Sequence, residues 1–85
     1  MKHITIDCST LETREQLHDA LSEALCFPAH YGRNLDALYD CLTEITQPTR
    51  ISLPGLRDAG AFARSFVAVL EDAETDNDCL IVDIL

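Results

Sequence analysis

Three short apolar segments, separated by helical patterns, constrain the fold of this chain more than any other feature. Residues 2–8 alternate between apolar and polar side chains, with Ile4 and Ile6 on one face, which predicts a half-buried strand. Residues 50–53 predict a short second strand, and the nearly all-apolar run 79–85 predicts a third that is buried. Strands separated by helices pair in parallel through right-handed crossovers. We therefore expect a small parallel sheet.

Helical patterns fill the intervals between these segments. Thr13-Arg-Glu-Gln16 has the form of a capping box, which predicts a first helix over residues 15–25. Asn34 suits the N-cap of a second helix that Gln47-Pro48 should end, and Asp58 is the candidate cap of a third. The apolar residues expected to face the core are Leu17, Leu21, Ala24 and Leu25, then Leu35, Leu38, Leu42 and Ile45, then Phe62, Phe66, Val69, Leu70 and Ala73. The order β-α-α-β-α-β predicts one α/β domain over residues 1–85, with a three-stranded parallel sheet packed with helices.

The chain is strongly acidic. Fifteen acids against six bases give its 85 residues a formal net charge of −9. Such a surface repels phosphate backbones and anionic lipids, so direct binding to nucleic acid or to a membrane is not expected. It would attract a basic protein and associate with it quickly at low salt. Acidity that serves only solubility is the alternative.

The four cysteines, at positions 8, 26, 41 and 79, lack the C-x-x-C spacing of zinc and thioredoxin-like sites. Their apolar neighbours favour reduced thiols that act as small core hydrophobes, whereas an even count is also compatible with disulfides in a secreted protein. No apolar run approaches the roughly 20 residues that span a membrane, and no signal segment follows Lys2. We therefore expect a cytoplasmic protein, without a cofactor or a metal.

The second helix separates its leucines from its acids. At about 100° per residue, Asp36, Asp40 and Glu44 lie opposite the leucine face, and Tyr39 and Thr43 border it. No base four residues away offsets the repulsion between the two aspartates, which are one turn apart. The pattern fits a plain solvated face, and it also fits a binding surface flanked by an aromatic ring.

A longer motif surrounds this helix. Residues 34–42 read Asn-Leu-Asp-Ala-Leu-Tyr-Asp-Cys-Leu and are preceded by His30, Tyr31 and Gly32. The run resembles the signature of the barstar family of ribonuclease inhibitors, and within residues 34–42 it departs from that signature only at Tyr39, where the family has tryptophan. Length, acidity and element order agree with the same family along the rest of the chain.

The resemblance implies a proteinaceous inhibitor that plugs the active-site cleft of a basic, secreted or toxin ribonuclease similar to barnase. The second helix and the loop before it would enter the cleft, with Asp40 in the phosphate site and Asp36 beside it. Carboxylates in that position would mimic the phosphates of RNA. The inhibitor would be a monomer when free. The residues to which the resemblance assigns partner contacts are His30, Tyr31, Gly32, Asn34, Asp36, Tyr39, Asp40, Thr43 and Asp72.

Several positions depart from the family pattern. His30 stands where the family usually has a tyrosine, and a protonated imidazole facing a basic cleft would weaken binding as the pH falls; an ordinary loop histidine is the alternative. Arg33 replaces a residue that is often acidic, and Glu44-Ile45 replaces a Gly-Trp pair. These changes are compatible with a different ribonuclease partner, with an immunity or regulatory module for another basic toxin or protein, and with a divergent member that no longer inhibits a ribonuclease.

An enzyme is the competing class of function. Asp36 and Asp40, near His30 and Tyr31, could form an acid–base site, but catalysis needs a concave pocket that shifts a pKa. We expect no such pocket on the exposed helix of so small a domain. The sequence also contains no His-x-x-x-His pair and no glycine-rich phosphate loop. It therefore favours a binding protein over an enzyme.

Overall fold

Strands and helices alternate along the chain as the sequence predicts. The computed structural model describes residues 1–84, and within them three strands and three α-helices follow the order β-α-α-β-α-β. The elements are β1 (Lys2–Thr5), α1 (Arg14–Leu25), α2 (Leu35–Thr43), β2 (Thr49–Ser52), α3 (Ala63–Asp76) and β3 (Leu80–Asp83). The predicted α/β class and element order are confirmed.

The three strands form one parallel sheet in the order β1-β2-β3. Along β2, Ile51 points to one face and Arg50 to the other, where Ile81 of β3 lies in register with it. Ile51 is 0% exposed, whereas Arg50 is exposed and Ile81 is 36% exposed. The helices therefore cover one face of the sheet and leave the other open, although parallel sheets are commonly covered on both faces.

Polar side chains connect the three strands across the open face. Nε2 of His3 lies 2.9 Å from Oγ of Ser52, and the Ser52 hydroxyl donates to Oδ2 of Asp83 at 3.1 Å. Nε of Arg50 donates to the same Asp83 oxygen at 2.5 Å, and this hydrogen bond lowers the pKa of the Asp83 carboxyl. Each strand supplies at least one member, so hydrogen bonds join the strands on the face that is open to water.

The prediction of a buried third strand over residues 79–85 is wrong in its burial and its length, because of the four strand residues only Leu80 is buried. β3 is an edge strand, because β2 lies between it and β1. It spans only Leu80–Asp83, and Leu85 lies outside the described residues. β1 likewise ends at Thr5 rather than at residue 8, although Ile6 and Cys8 keep the predicted alternation and are buried. An apolar run indicates a strand but not its place in a sheet.

The core lies between the covered face of the sheet and the three helices. The predicted apolar faces are confirmed by the predicted helical residues that are at most 1% exposed, namely Leu17, Leu21, Leu38, Leu42, Phe66, Leu70 and Ala73. Ile51, Ala63 and Leu80, each at most 2% exposed, belong to the same core. The remaining predicted members pack against this core while partly exposed, namely Ala24, Leu25, Leu35, Ile45, Phe62 and Val69. All four cysteines are free thiols; Cys8 is in the core, but Cys26 is exposed, so the predicted core role does not extend to Cys26.

Local signals set the starts of α1 and α2. Oγ1 of Thr13 accepts from the N–H of Gln16 at 3.2 Å, and Oε1 of Gln16 accepts from the N–H of Thr13 at 3.2 Å, which completes the predicted capping box. α1 begins at Arg14, one residue before the predicted bound. Oδ1 of Asn34 accepts from the N–H of Ala37 at 2.8 Å, which confirms Asn34 as the N-cap of α2.

The predicted cap of α3 is wrong. Asp58 lies in a 3-10 turn over Leu56–Asp58, and α3 begins only at Ala63, where Phe62 is the N-cap residue without a side-chain hydrogen bond. Gly60 lies between the turn and the helix with a φ of +154°, a backbone conformation that side chains rarely allow. The glycine therefore separates the two segments.

The predicted end of α2 at residues 47–48 is also wrong, because a distant side chain ends the helix at Thr43. Nδ2 of Asn77 donates to the carbonyl oxygens of Leu42 and Ile45, each at 2.9 Å, and Asn77 is 9% exposed. Its Oδ1 accepts from the N–H of Cys79 at 2.9 Å, just before β3. One amide thus adds a hydrogen bond to the last turn of α2, at Leu42, and supplies one to the carbonyl of Ile45 just beyond the helix.

We expect Asn77→Ala to lower the free energy of unfolding by about 2–3 kcal/mol, since it leaves the Ile45 carbonyl and the Cys79 N–H without the partner that Asn77 supplies and removes one hydrogen bond from the Leu42 carbonyl. Urea unfolding measures this loss. Asp78→Ala is the matched control, because Asp78 is the exposed neighbour, and its effect should stay within about 0.5 kcal/mol. Similar losses for the two variants would contradict the role given to Asn77.

Candidate protein-binding site

α2 divides its side chains between the core and the solvent. Leu38 and Leu42 are 0% exposed, whereas Asp36 and Asp40 lie on the exposed side, one helical turn apart. The ion pairs among residues 1–84 are formed by Arg14, Arg33 and Arg50 with other acids, and none includes Asp36 or Asp40. The separation predicted from the sequence is therefore present, and the two carboxylates face water without a cation.

α3 brings two further carboxylates to the same surface. A groove of about 410 Å³ lies between α2 and α3 and is lined by Asp36 and Tyr39 on one side and by Asp72 and Asp76 on the other. We call these acids, together with Asp40, the acidic ridge. Within the described residues, none of the four carboxylates forms an ion pair. The predicted candidate on α3, Asp72, thus lies across the groove from Asp36.

Tyr39 lies at the centre of the acidic ridge. Its hydroxyl donates a hydrogen bond to Oδ2 of Asp76, which joins α2 to the last turn of α3. This hydrogen bond raises the pKa of the Tyr39 hydroxyl, and the charges of Asp76, Asp72 and Asp40 raise it further. The aromatic side chain that borders the acids is therefore held in place by one of them.

Sequence reasoning missed Asp76. It lies one turn after Asp72 and in the last turn of α3, where the negative end of the helix dipole disfavours a carboxylate. An acid at such a position needs a compensating contact, and the hydroxyl of Tyr39 supplies one. The unfavourable position could have marked Asp76 as a residue of interest, but its partner could not be read from the sequence.

The hydroxyl of Thr43 is used inside α2. Oγ1 of Thr43 donates to the carbonyl of Tyr39 at 2.9 Å and lies 3.2 Å from the carbonyl of Asp40, and the side chain is half-buried. A hydroxyl engaged in this way packs against the last turn of its own helix. Thr43 therefore borders the acidic ridge while its polar group faces the backbone.

The loop before α2 turns the ring of Tyr31 inward. The hydroxyl of Tyr31 is 2.6 Å from Nδ1 of His18 on α1, and the Tyr31 ring centroid is 4.9 Å from that of Phe27. Burial raises the pKa of the Tyr31 hydroxyl to about 12. His30, by contrast, is exposed. Of this predicted pair, only His30 presents its side chain mainly to solvent.

Gly32 and Asn34 shape the entry into α2. A Cβ atom at Gly32 would come within 3.0 Å of Nδ2 of Asn34, which donates to the Gly32 carbonyl at 3.4 Å. The φ angle of Gly32 is not positive, unlike those of Gly55 and Gly60, so the lack of a side chain matters here for space. The predicted loop residues that are exposed, His30, Gly32 and Asn34, thus lead directly into the turn of α2 that bears Asp36.

The sequence predicts no concave pocket that shifts a pKa on the exposed helix, yet the helix begins beside a concave region. A cavity of about 690 Å³ lies beside the start of α2. Its lining residues come from α1, the loop, α2 and the start of α3, and include Arg14, His18, Arg33, Asp36 and Phe66. His18 is 2% exposed and already hydrogen-bonded to Tyr31. Among residues 1–84, no three His, Cys, Asp or Glu side chains are placed to hold a metal ion.

No helix within residues 1–84 has both the length and the apolar content needed to cross a membrane.

Comparison with known proteins gives a family and a relative. The family model described as "Barstar (barnase inhibitor)" matches residues 1–79. The chain is 38% identical over 81 residues to the "Putative ribonuclease inhibitor YrdF" of Bacillus subtilis (strain 168), and the match covers 89% of each chain. These likenesses point to a protein that acts by inhibition rather than by catalysis.

The burial of His18 predicts a pH dependence of folding. Burial, and next the charge of Arg33, lower the pKa of His18 in the folded protein. Because its pKa is higher in the unfolded chain, the unfolded state takes up more protons, and the free energy of unfolding should fall as the pH falls below about 6.5.

Urea unfolding at about pH 7.5 and about pH 5.5 measures this dependence, above the range where carboxylates take up most of their protons. His18→Phe should be less sensitive to pH over this interval, since the exposed His3 and His30 are present in both proteins. The same pH dependence in the parent and the variant would rule out His18 as the titrating group.

Proposed function

The chain belongs to the barstar family, and on that basis we propose that it inhibits a basic, barnase-like ribonuclease by placing the acidic ridge in the active-site cleft. The observation that carries the proposal is the ridge itself: four carboxylates on two packed helices, without a cation among the described residues. A surface of this kind has its charges available for a partner.

Phosphate mimicry supplies the chemistry. The cleft of a ribonuclease holds polyanionic RNA with cationic side chains, and a carboxylate accepts the same charge-assisted hydrogen bonds as a phosphate oxygen. Asp40 would occupy the phosphate site, with Asp36 one turn before it. Since RNA and the inhibitor would then use the same cations, one bound inhibitor would exclude the substrate.

The position of the ridge supports a rigid fit. α2 is fixed by its buried leucines, and Asp72 and Asp76 face it across the groove. Because the hydroxyl of Tyr39 already bonds to Asp76, fewer side chains need to become ordered when the partner binds. We propose that the ring of Tyr39 packs against the enzyme between the two rows of acids, as aromatic residues do at many binding sites.

The loop would extend the contact beyond the ridge. His30 is exposed and would touch the enzyme directly, whereas Tyr31, Gly32 and Asn34 would act mainly by holding the loop and the first turn of α2. His30 would then help to determine which ribonuclease is recognised. We propose that the chain of residues 1–85 acts as a single domain and a monomer inside the cell, where it would neutralise a ribonuclease intended for secretion or delivered as a toxin.

Asp40→Ala should weaken the binding of the ribonuclease by about 2–5 kcal/mol, the cost of truncating one member of a buried interfacial charge pair; that range derives partly from the barnase–barstar complex, of this same family. Folding should change by less than about 0.5 kcal/mol, since Asp40 is exposed. Titration of ribonuclease activity with each inhibitor gives the affinities. The two enzymes are barnase and the ribonuclease that the parent inhibitor pulls down from an extract of the source cell.

Glu23→Ala is the control for net charge, because Glu23 is an exposed acid on α1 outside the acidic ridge. It should change the affinity much less than Asp40→Ala. Equal affinities for Asp40→Ala and the parent would remove the basis for phosphate mimicry.

The net charge of −9 should steer association. We expect the association rate constant to fall steeply with added salt, from a steered value on the order of 10⁸ M⁻¹s⁻¹ towards the 10⁵–10⁶ M⁻¹s⁻¹ of unsteered pairs, while the dissociation rate constant changes less. Stopped-flow mixing across a series of salt concentrations measures both constants. An association rate that does not depend on salt would argue against a long-range role for the charge.

A further inference from the structure

The loop between α1 and α2, residues 26–34, contains few hydrogen bonds of its own. The N–H of Tyr31 donates to the carbonyl of Pro28 at 2.9 Å, which makes one turn. Cys26 and Arg33, at its two ends, have φ angles of +57° and +54°. Left-handed backbone is unfavourable for residues that carry a Cβ atom. The loop therefore depends on contacts from outside itself to keep this shape.

Two adjacent residues of α1 supply such contacts. Nδ1 of His18 lies 2.6 Å from the hydroxyl of Tyr31. The carboxylate of Asp19 pairs with Arg33 through two nitrogens, Nε at 3.0 Å and Nη2 at 3.1 Å. Since Tyr31 and Arg33 flank Gly32, the two contacts fix the chain on both sides of the glycine.

The two contacts differ in their surroundings. His18 is 2% exposed and packs with its ring centroid 4.8 Å from that of Phe66, so the contact to Tyr31 is continuous with the core. The side chains of Asp19 and Arg33 are 63% and 48% exposed. An exposed ion pair contributes little to the stability of a whole protein, although two-pronged Arg–carboxylate geometry is the more favourable kind. We therefore expect the effect of Asp19 to be local.

The Asp19–Arg33 ion pair should affect mainly the path of the chain into α2. Arg33 directly precedes Asn34, the N-cap residue, and α2 then presents Asp36 and Asp40. Without Asp19, Arg33 could leave the left-handed region, and the path of the chain into the cap would vary. A loop that must become ordered during binding weakens the complex, whereas one that is already ordered does not.

We propose that His18 and Asp19 are positioning residues that hold residues 26–34 in their binding shape before the ribonuclease arrives. The expected effect on binding rests on the proposed function of the loop. The two contacts themselves are present in the free protein. Neither residue needs to touch the enzyme. Arg33, which stands at a position that is often acidic in the family, acts here through its pair with Asp19.

The free protein provides the first test. Asp19→Ala removes the carboxylate that pairs with Arg33, and Glu23→Ala removes the same charge from an exposed position one turn later in α1. Amide hydrogen exchange at Tyr31, whose N–H donates to the Pro28 carbonyl, and at Ala37, whose N–H donates to the Asn34 side chain, should become about tenfold faster in Asp19→Ala, given the cost of left-handed backbone. It should not change in Glu23→Ala. Equal exchange in the two variants would overturn the role of Asp19.

A double-mutant cycle tests whether Asp19 acts through Arg33. In an Arg33→Gln background, Asp19→Ala should have little further effect on loop exchange, because the pair is already broken. An undiminished effect would mean that Asp19 acts by another route, which would overturn the proposal.

Tyr31→Phe tests the second contact. It keeps the ring beside Phe27 and removes the hydroxyl that His18 contacts. Exchange at the amides of residue 31 and Ala37 should become faster in this variant, as in Asp19→Ala. If exchange at both positions is unchanged, the His18 contact does not hold the loop.

Binding to barnase tests the consequence for inhibition. Asp19→Ala and Glu23→Ala each remove one negative charge, so they should slow association by similar factors. Only Asp19→Ala should also raise the dissociation rate constant, by up to about tenfold. Equal dissociation rate constants would overturn the link between loop order and binding. If the parent chain does not bind barnase, the proposed partner is wrong, whereas the exchange experiment still decides whether the two residues hold the loop.

Discussion

The packing of α2 against α3 is the constraint on which the rest of the structure depends. α2 has nine residues, which is too short for a helix to be stable alone in water, so tertiary contacts must hold it. Leu38 and Leu42 are buried in the core, and the side-chain amide of Asn77 donates to the Leu42 carbonyl at the end of the helix. The hydroxyl of Tyr39 bonds to Asp76 on α3. The exposed acids lie on the opposite side of the same helix. Their positions are therefore fixed by contacts that they do not make themselves.

Sequence patterns predict the features of this chain that depend on residues only three or four positions apart. The capping box at Thr13, the N-cap at Asn34 and the division of α2 into a leucine face and an acidic face all follow from such spacing. The features that the sequence does not reveal depend on distant partners. Asn77 ends α2 from 35 residues away, and Tyr39 meets Asp76 from 37 residues away. No local pattern identifies either pair.

The sheet illustrates the same limit. The apolar run at the end of the chain predicts a strand correctly, but the strand is at the edge, and Ile81 faces water. Whether a parallel strand is covered on one face or on two depends on where the crossover helices pack. Here they share one side, and the polar side chains of His3, Ser52 and Asp83 connect the strands on the other. The alternation of apolar and polar side chains in residues 2–8 indicates that one face of the sheet is open, whereas the apolar run at the end of the chain does not.

The acidic ridge is compatible with folding because its cost is small and partly offset within the structure. Repulsion between Asp36 and Asp40 costs a few tenths of a kcal/mol, and the positive end of the α2 dipole favours Asp36. Asp76 is at the unfavourable end of α3, but the hydroxyl of Tyr39 hydrogen-bonds to it. In the proposed complex, a close pair between one of these carboxylates and a cation of the cleft would have a coupling energy of about 1.5–7 kcal/mol, the range known from the barnase–barstar complex. A chain can therefore keep four unpaired acids on one surface at little expense to its stability, provided that its helices are held together by other residues.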